Sequence, residues 1–344
     1  MLLFNHLVGR VFCLTFGFLT LWSIFGGIST SEAKIVFRSA QVLASDHPIQ
    51  LGLNRLATIL EEKTNGELTL DIMEPGQFGS ERELIEAIQM GDLDLIVITT
   101  PPLYSFTNAF LAFDLPYIFP DTQVARTVLD GPFGQDRLKA AANIGLVGIT
   151  YFENGLRHIS SLDKPIIVPW DLKGLKIRTM ESRIHLYTFR TLGANPVPLA
   201  YNDLYQNLKN KTLDGQENPP SVFITGKLYE VQKHYSLTGH FYITSPMFVS
   251  SSAWNKLTPE QQVIFTNSAQ EAKYYQRFLA DQINDIDYLK RVAPDVTIHS
   301  SLNLNLWKSN LVDPIRHQFQ NEIGIDTLKE LDLEIQRALD ERIN

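Results

Sequence analysis

Residues 172–220 read LKGLKIRTMESRIHLYTFRTLGANPVPLAYNDLYQNLKNKTLDGQENPP. The run Leu175-Lys176-Ile177 has the look of a short strand, and Arg178 ends it. A helical pattern follows. Gly193-Ala194-Asn195-Pro196 interrupts it, a second helix begins, and Leu213-Asp214-Gly215 turns the chain. Strand alternating with helix is the signature of an α/β layer. The arginine poses the functional question. Its guanidinium is always charged and presents a rigid fork of donors. At a strand end it can pair a structural carboxylate such as Asp214, or receive one that arrives from solution. The residues alone leave both open.

The same alternation continues outward. Lys34 to Ala40 reads as a strand, and apolar residues at helical spacing follow from Pro48 to Glu62. Asn65-Gly66 stops that helix, and Leu68–Met73 alternates as a second strand. Ser80 is placed to cap a helix, with Glu83 at the capping-box position. The run Leu93–Thr100 predicts a central strand. A further strand falls at Gly145–Phe152, and Tyr242–Ser252 predicts a strand returning to the first half. Thr258-Pro259 opens a helix expected to reach about Arg291, long enough to brace two lobes. From Asn303 onward the chain reads as mostly helical.

Composition narrows the class. The chain has 344 residues, 44% hydrophobic and 20% charged, which suits a globular protein of two domains or one large one. A net charge of −8 argues against a nucleic-acid partner, which demands a basic face. Leu7–Ser29 is almost uniformly apolar, with Arg10 its only charge, and Ser31 and Ala33 suit signal-peptidase cleavage. Residues 1–33 are therefore read as an export signal cut near Ala33, the alternative being a retained anchor. Cys13, the only cysteine, lies inside that segment, so the mature chain carries no disulfide. Export without disulfides favours a bacterial periplasm.

Six motifs in fixed order add a resemblance. They are Gln77-Phe78-Gly79-Ser80-Glu81-Arg82-Glu83-Leu84, Phe113-Asp114-Leu115-Pro116-Tyr117, Asn154-Gly155-Leu156-Arg157, Leu172–Arg178, Asp214–Pro219 and Tyr229-Glu230-Val231-Gln232-Lys233. Together they resemble the DctP family, the extracytoplasmic solute-binding proteins of TRAP transporters, over essentially all of the mature chain. The resemblance implies an α/β, two-lobed periplasmic binding protein fold (type II-like) with a long interlobe helix. Residues 34–154 and 243–282 are expected to form one lobe, and 155–242 and 283–344 the other. It implies a monomer that captures an organic acid and hands it to the small and large permease subunits, driven by an ion gradient. No cofactor and no metal are implied.

The resemblance also assigns roles. Arg178 is expected to make a bidentate bridge to the ligand carboxylate. Arg157 is expected to reach the same carboxylate or a nearby hydroxyl, the alternative being an interlobe salt bridge. Asn218 is expected beside Arg178, with Gln216 and Glu217 holding the loop. Tyr201 stands where relatives pack an aromatic on the ligand. From the first lobe, Gln41, Glu81 and Thr99 are expected at the cleft, with Asn154 at the hinge. Sialic-acid-binding relatives have a glutamate near Thr99, so its absence weakens that ligand. Dicarboxylate binders often place a histidine near Gln41. Its absence favours a uronate or aldonate over a C4-dicarboxylate, which remains the alternative. A membrane sensor kinase is an alternative recipient.

An enzyme is disfavoured. The chain has no Gly-x-Ser-x-Gly elbow, no His-Glu-x-x-His and no P-loop. Its eight histidines are scattered without metal-ligand spacing.

Overall fold

The computed structural model describes residues 34–342. The apolar segment Leu7–Ser29, the cleavage near Ala33 and Cys13 lie outside the described residues.

The first half is β1 (Ile35–Ala40), α1 (Pro48–Lys63), β2 (Leu68–Ile72), α2 (Glu81–Met90) and β3 (Leu95–Val97). The three strands are parallel, with β1 between β2 and β3, as helical crossovers require. Ser80 caps α2, and Glu83 completes the capping box. Helices α3 (Thr122–Asp130) and α4 (Pro132–Ala140) lead into β4 (Leu146–Ser161). The stretch around Arg178 forms β5 (Lys176–Thr179), α5 (Arg183–Thr191), β6 (Asn195–Pro198), α6 (Tyr201–Lys209), β7 (Gly215–Asn218) and α7 (Pro220–Thr225). Here β5 lies parallel between β6 and β7.

Two long strands join the halves. β4 and β8 (His234–Ser250) run antiparallel through the middle of the sheet. Among the described residues the strand order is β2-β1-β3-β8-β4-β7-β5-β6, with β9 (Thr297–His299) also on β8. The fold is two-lobed. Each lobe has its own parallel strands, and the two share β4 and β8. The register of this pair slips at Gly148/Thr150, Glu153/Gly155 and Arg157/Ile159. Such bulges bend a strand and re-aim its side chains. At the middle one Gly155 has φ +113°, and Asn284 Nδ2 sits 2.8 Å from where its Cβ would be. β8 starts eight residues earlier than the apolar run suggested, because Ser236, Thr238 and His240 are buried polar residues.

After α8 (Ser251–Trp254) comes the long helix, α9 (Pro259–Ile283), with Thr258 and Gln261 forming its capping box. It stops short of Arg291. Asn284 turns away to accept from Ser221 N (2.9 Å) and donate to Asn154 O (3.2 Å). Asp285 then caps α10 (Ile286–Val292) through Tyr288 N. Helix α9 spans the lobes as expected. Its Glu271 pairs with Arg55 and Lys63 of α1, and beyond its other end Asn284 holds Ser221 of α7. Midway, Gln276 bonds both the N–H (2.9 Å) and the C=O (2.7 Å) of Glu153 at the bulge. α11 (Leu304–Ile323) and α12 (Ile325–Asp340) close the chain.

Apolar burial drives this assembly. A large cluster fills the first lobe and extends to Ile184 and Phe189 of α5 and to Trp307 and Leu311 of α11. A smaller one, around Leu204, Phe223 and Leu289, fills the far side. Tyr201 packs against both. Among the described residues no helix is long and apolar enough to cross a membrane.

Candidate ligand-binding site

Arg178 sits at the C-terminal end of β5, opposite Gln216 of β7 and Val197 of β6. It is 3% exposed. Its Nε donates to Leu199 O at 2.8 Å. Among the described residues no carboxylate lies within salt-bridge distance of its guanidinium. Asp214, the structural alternative, is engaged elsewhere: it accepts from Lys176 N at 2.7 Å. Burial, then the positive charge of Arg157, push the Arg178 pKa down to about 10, so it stays charged at neutral pH.

Arg157, on β4, has the opposite surroundings. Its Nε and Nη2 grip Glu217 at 2.5 and 2.9 Å, and Nη2 also donates to Glu217 O. The two side chains are 1% and 0% exposed. Both partners belong to neighbouring strands, β4 and β7, so the bridge ties adjacent strands of the sheet together. Burial alone would raise the Glu217 carboxyl. Arg157 and His240 hold it well below the usual carboxylate range. His240 Nε2 lies 3.4 Å from Glu217, and burial lowers its pKa. His185 stacks flat on Phe241 at 3.9 Å, and burial pushes its pKa down to about 3. Glu217 therefore anchors the arginine, a stronger role than holding its loop.

Asn218 follows at the end of β7, 3% exposed. Its Nδ2 donates to Gln216 Oε1 at 2.5 Å, and Gln216 donates to Ser160. Tyr201, the first residue of α6, points its hydroxyl at Gly226, where a Cβ would lie 2.5 Å away. Burial pushes its pKa up to about 12, with Arg178 opposing and Asp46 of the β1–α1 loop adding to the rise.

In the first lobe, Glu81 accepts from Thr99 N (2.7 Å) and Thr99 Oγ1 (2.6 Å). Burial raises the Glu81 carboxyl; the Thr99 donors and the charges of Arg178 and Arg157 act against it. Gln41 is differently employed. Both its amide hydrogens are taken, by Leu43 O (2.6 Å) and Gln50 Oε1 (2.7 Å), and its Oε1 accepts from Leu43 N. It braces the β1–α1 loop and has no donor left for a ligand. Asn154 lies in the bulge, 2% exposed, with a buried Oδ1 that has no partner among the described residues.

The lobes touch around this set. Asn202 Nδ2 donates to Gly79 O at 2.9 Å. Ser182 Oγ donates to Asp114 Oδ2 at 3.3 Å, while Asp114 Oδ1 accepts from Thr100 at 2.8 Å. Burial pushes the Asp114 carboxyl up to about 7. Asp114, His240 and Asn202 were not among the expected site residues. Only Asp114 carried a signal: a lone acid inside the apolar run Ala112-Phe113-Asp114-Leu115. Among the described residues no group of three or more His, Cys, Asp or Glu is placed to hold a metal ion.

A two-lobed fold whose described residues include a buried arginine with no carboxylate at contact distance is the architecture of a binding protein for small solutes. Residues 39–322 match the family described as bacterial extracellular solute-binding protein, family 7 (DctP). The chain is 34% identical to the 2,3-diketo-L-gulonate-binding periplasmic protein YiaO of Escherichia coli, over 80% of this chain and 84% of that one. It is 29% identical to the C4-dicarboxylate-binding periplasmic protein DctP of Rhodobacter capsulatus, over 86% and 89%. The sugar acid binding protein DctPAm from Advenella mimigardefordensis, solved with galactonate, superposes with a TM-score of 0.85 at 30% identity, covering 89% of this chain and 99% of that one. A TRAP periplasmic solute binding protein from Sulfurospirillum deleyianum, solved with succinate, gives 0.81 at 29%, over 87% and 99%. The chain belongs to the DctP family of TRAP solute-binding proteins, and it is not an enzyme.

Proposed function

We propose that this protein captures an organic acid in the cleft between its lobes, in the periplasm, and delivers it to the small and large membrane subunits of a TRAP permease. The observation that carries this reading is Arg178, a buried guanidinium with no carboxylate partner of its own. A carboxylate arriving between the lobes forms a fork-to-fork pair with it, strengthened where water is excluded. Arg157, fixed by Glu217, adds positive potential and holds the wall. Asn218 contributes its uncommitted amide oxygen and second N–H. Tyr201 closes one side. Glu81, Thr99 and Asn154 receive the rest of the ligand, while Gln41 shapes the β1–α1 loop beside them.

A uronate- or aldonate-type sugar acid is the favoured ligand, because one unmatched arginine is surrounded by hydroxyl and amide groups. Relatives solved with galactonate and with β-D-galacturonate support this class, and one solved with succinate supports the C4-dicarboxylate alternative. The lobes are taken as residues 34–154 with 243–282, and 155–242 with 283–344. The bulge at Glu153/Gly155, clipped by Gln276 and Asn284, supports a pivot there. A ligand that touches both lobes favours the closed state by its higher affinity for that state. A thermal-shift screen of the chain from Lys34 onward, against hexuronates, aldonates, C4-dicarboxylates, 2-oxoacids and sialic acid, tests the proposal. A shift with one acid that Arg178→Ala abolishes is the expected result. An equal shift in that variant defeats the reading.

A further inference from the structure

We propose that Glu81 sets the ligand class at the end of the cleft away from Arg178: it accepts hydroxyl donors from a polyhydroxylated monocarboxylate and turns away a second carboxylate. The inference rests on the reading that Arg178 takes the ligand's first carboxylate.

A chain of contacts places Glu81 across the cleft. Arg178 donates to Leu199 O, and Leu199 leads into Tyr201 and Asn202. Asn202 donates across to Gly79 O, two residues before Glu81. Glu81 is then fixed in place. It is the first residue of α2, where a negative charge suits the helix end, and the Ser80–Glu83 capping box pins that end. Thr99 holds one oxygen through its N–H and the other through its hydroxyl. The carboxylate cannot swing away without giving up both bonds.

Its chemistry follows from that hold. An ionised carboxylate only accepts, and it has about four lone-pair sites. Thr99 fills one on each oxygen, so further capacity remains for ligand donors. Hydroxyl groups meet that demand. A second carboxylate brings acceptors only.

The charge count points the same way. Arg157 is matched by Glu217 at contact distance. Among the described residues Arg178 has no such match at contact distance, and the cations named as acting on Glu81 are Arg178 and Arg157. A monocarboxylate therefore finds one unmatched cation. The second charge of a dicarboxylate finds Glu81, with Arg157 already matched by Glu217 and Arg178 taken by the first carboxylate. Rejection by an unpaired like charge is a strong route to specificity, because it weakens the wrong ligand without improving the right one. Burial raises the Glu81 carboxyl, so the discrimination should strengthen as pH rises and is read at pH 8, on the alkaline side.

Isothermal titration at pH 8 of wild type, Glu81→Gln and Thr99→Val tests this, with galactonate, galacturonate and succinate as probes and Arg178→Ala as the control. Wild type should prefer a sugar acid over succinate by about 100-fold or more. Glu81→Gln should shrink that ratio by about tenfold or more, weakening the sugar acid and tightening succinate. Thr99→Val keeps the charge and should still reject succinate, so a merely structural role for the Glu81–Thr99 clasp predicts the wrong result for this variant. If Glu81→Gln does not fold, Glu81→Ala replaces it with the same expectation. An unchanged ratio in the neutral variants overturns the inference, as does a wild type that prefers succinate. Failure of the underlying reading looks different: no probe binds wild type, or Arg178→Ala binds as wild type does.

Discussion

Arg157 and Arg178 stand on strands of the same sheet, both buried, yet their surroundings differ in one respect. Arg157 is locked to Glu217 at 2.5 and 2.9 Å. Arg178 has a backbone carbonyl at 2.8 Å and no carboxylate. Burying a charge without a partner is costly, and folded proteins rarely tolerate it without cause. The contrast separates two jobs. On the proposed function the matched arginine holds the wall and lends its potential, and the unmatched one is the receptor, the free energy spent in burying it being recovered when an anion arrives.

The largest test of this contrast is in stability. Arg157→Ala leaves Glu217 buried without its arginine and with only the lowered-pKa His240 beside it, which should cost roughly 3–5 kcal/mol in denaturant unfolding. Arg178→Ala removes an unmatched charge and should cost less than about 1 kcal/mol or even stabilise. Equal losses would erase the distinction between the two sites.

Asp114 sharpens the comparison from the acid side, since it too is buried without a cation at contact distance. Its folded-state pKa is about 7, raised from 3.8 by burial. The folded chain therefore keeps a proton that the unfolded chain releases. That contribution is complete below about pH 4 and is lost as pH rises through 7. Relative to wild type, Asp114→Asn should gain up to about 3 kcal/mol between pH 5 and pH 8. Parallel unfolding free energies of the two proteins across that range would show that Asp114 is ordinarily ionised.

The smallest effect is expected at the rim. Asn202→Ala deletes the bond to Gly79 and should cost the closed state about 1 kcal/mol, read as a severalfold faster ligand release in stopped flow. An unchanged off-rate would show that the rim contact takes no part in closure.

Local signals were legible in the sequence. The capping box at Ser80 and the helix start at Thr258-Pro259 stand where the sequence placed them, because each depends on only a few adjacent residues. Non-local choices were not. The end of α9 is set by Asn284, whose partners Asn154 and Ser221 lie 130 and 63 residues away. The early start of β8 was hidden because Ser236, Thr238 and His240, buried there, are polar, and His240 lies beside Glu217. Gln41 sits on the expected loop, but its bonds to Leu43 and Gln50 could not be read from spacing. Arg157 shows the limit most clearly. Its type and place were legible, and its partner Glu217, 60 residues away on the next strand, was not.

The most direct test of the central claim is the dissociation constant of the sugar acid found in the screen, measured for wild type and Arg178→Ala at equal folded fraction. Truncating one side of a buried charge pair costs about 2–5 kcal/mol, so the variant should bind about 30-fold to several thousand-fold more weakly while melting normally. A variant that binds within a few-fold of wild type would contradict the account.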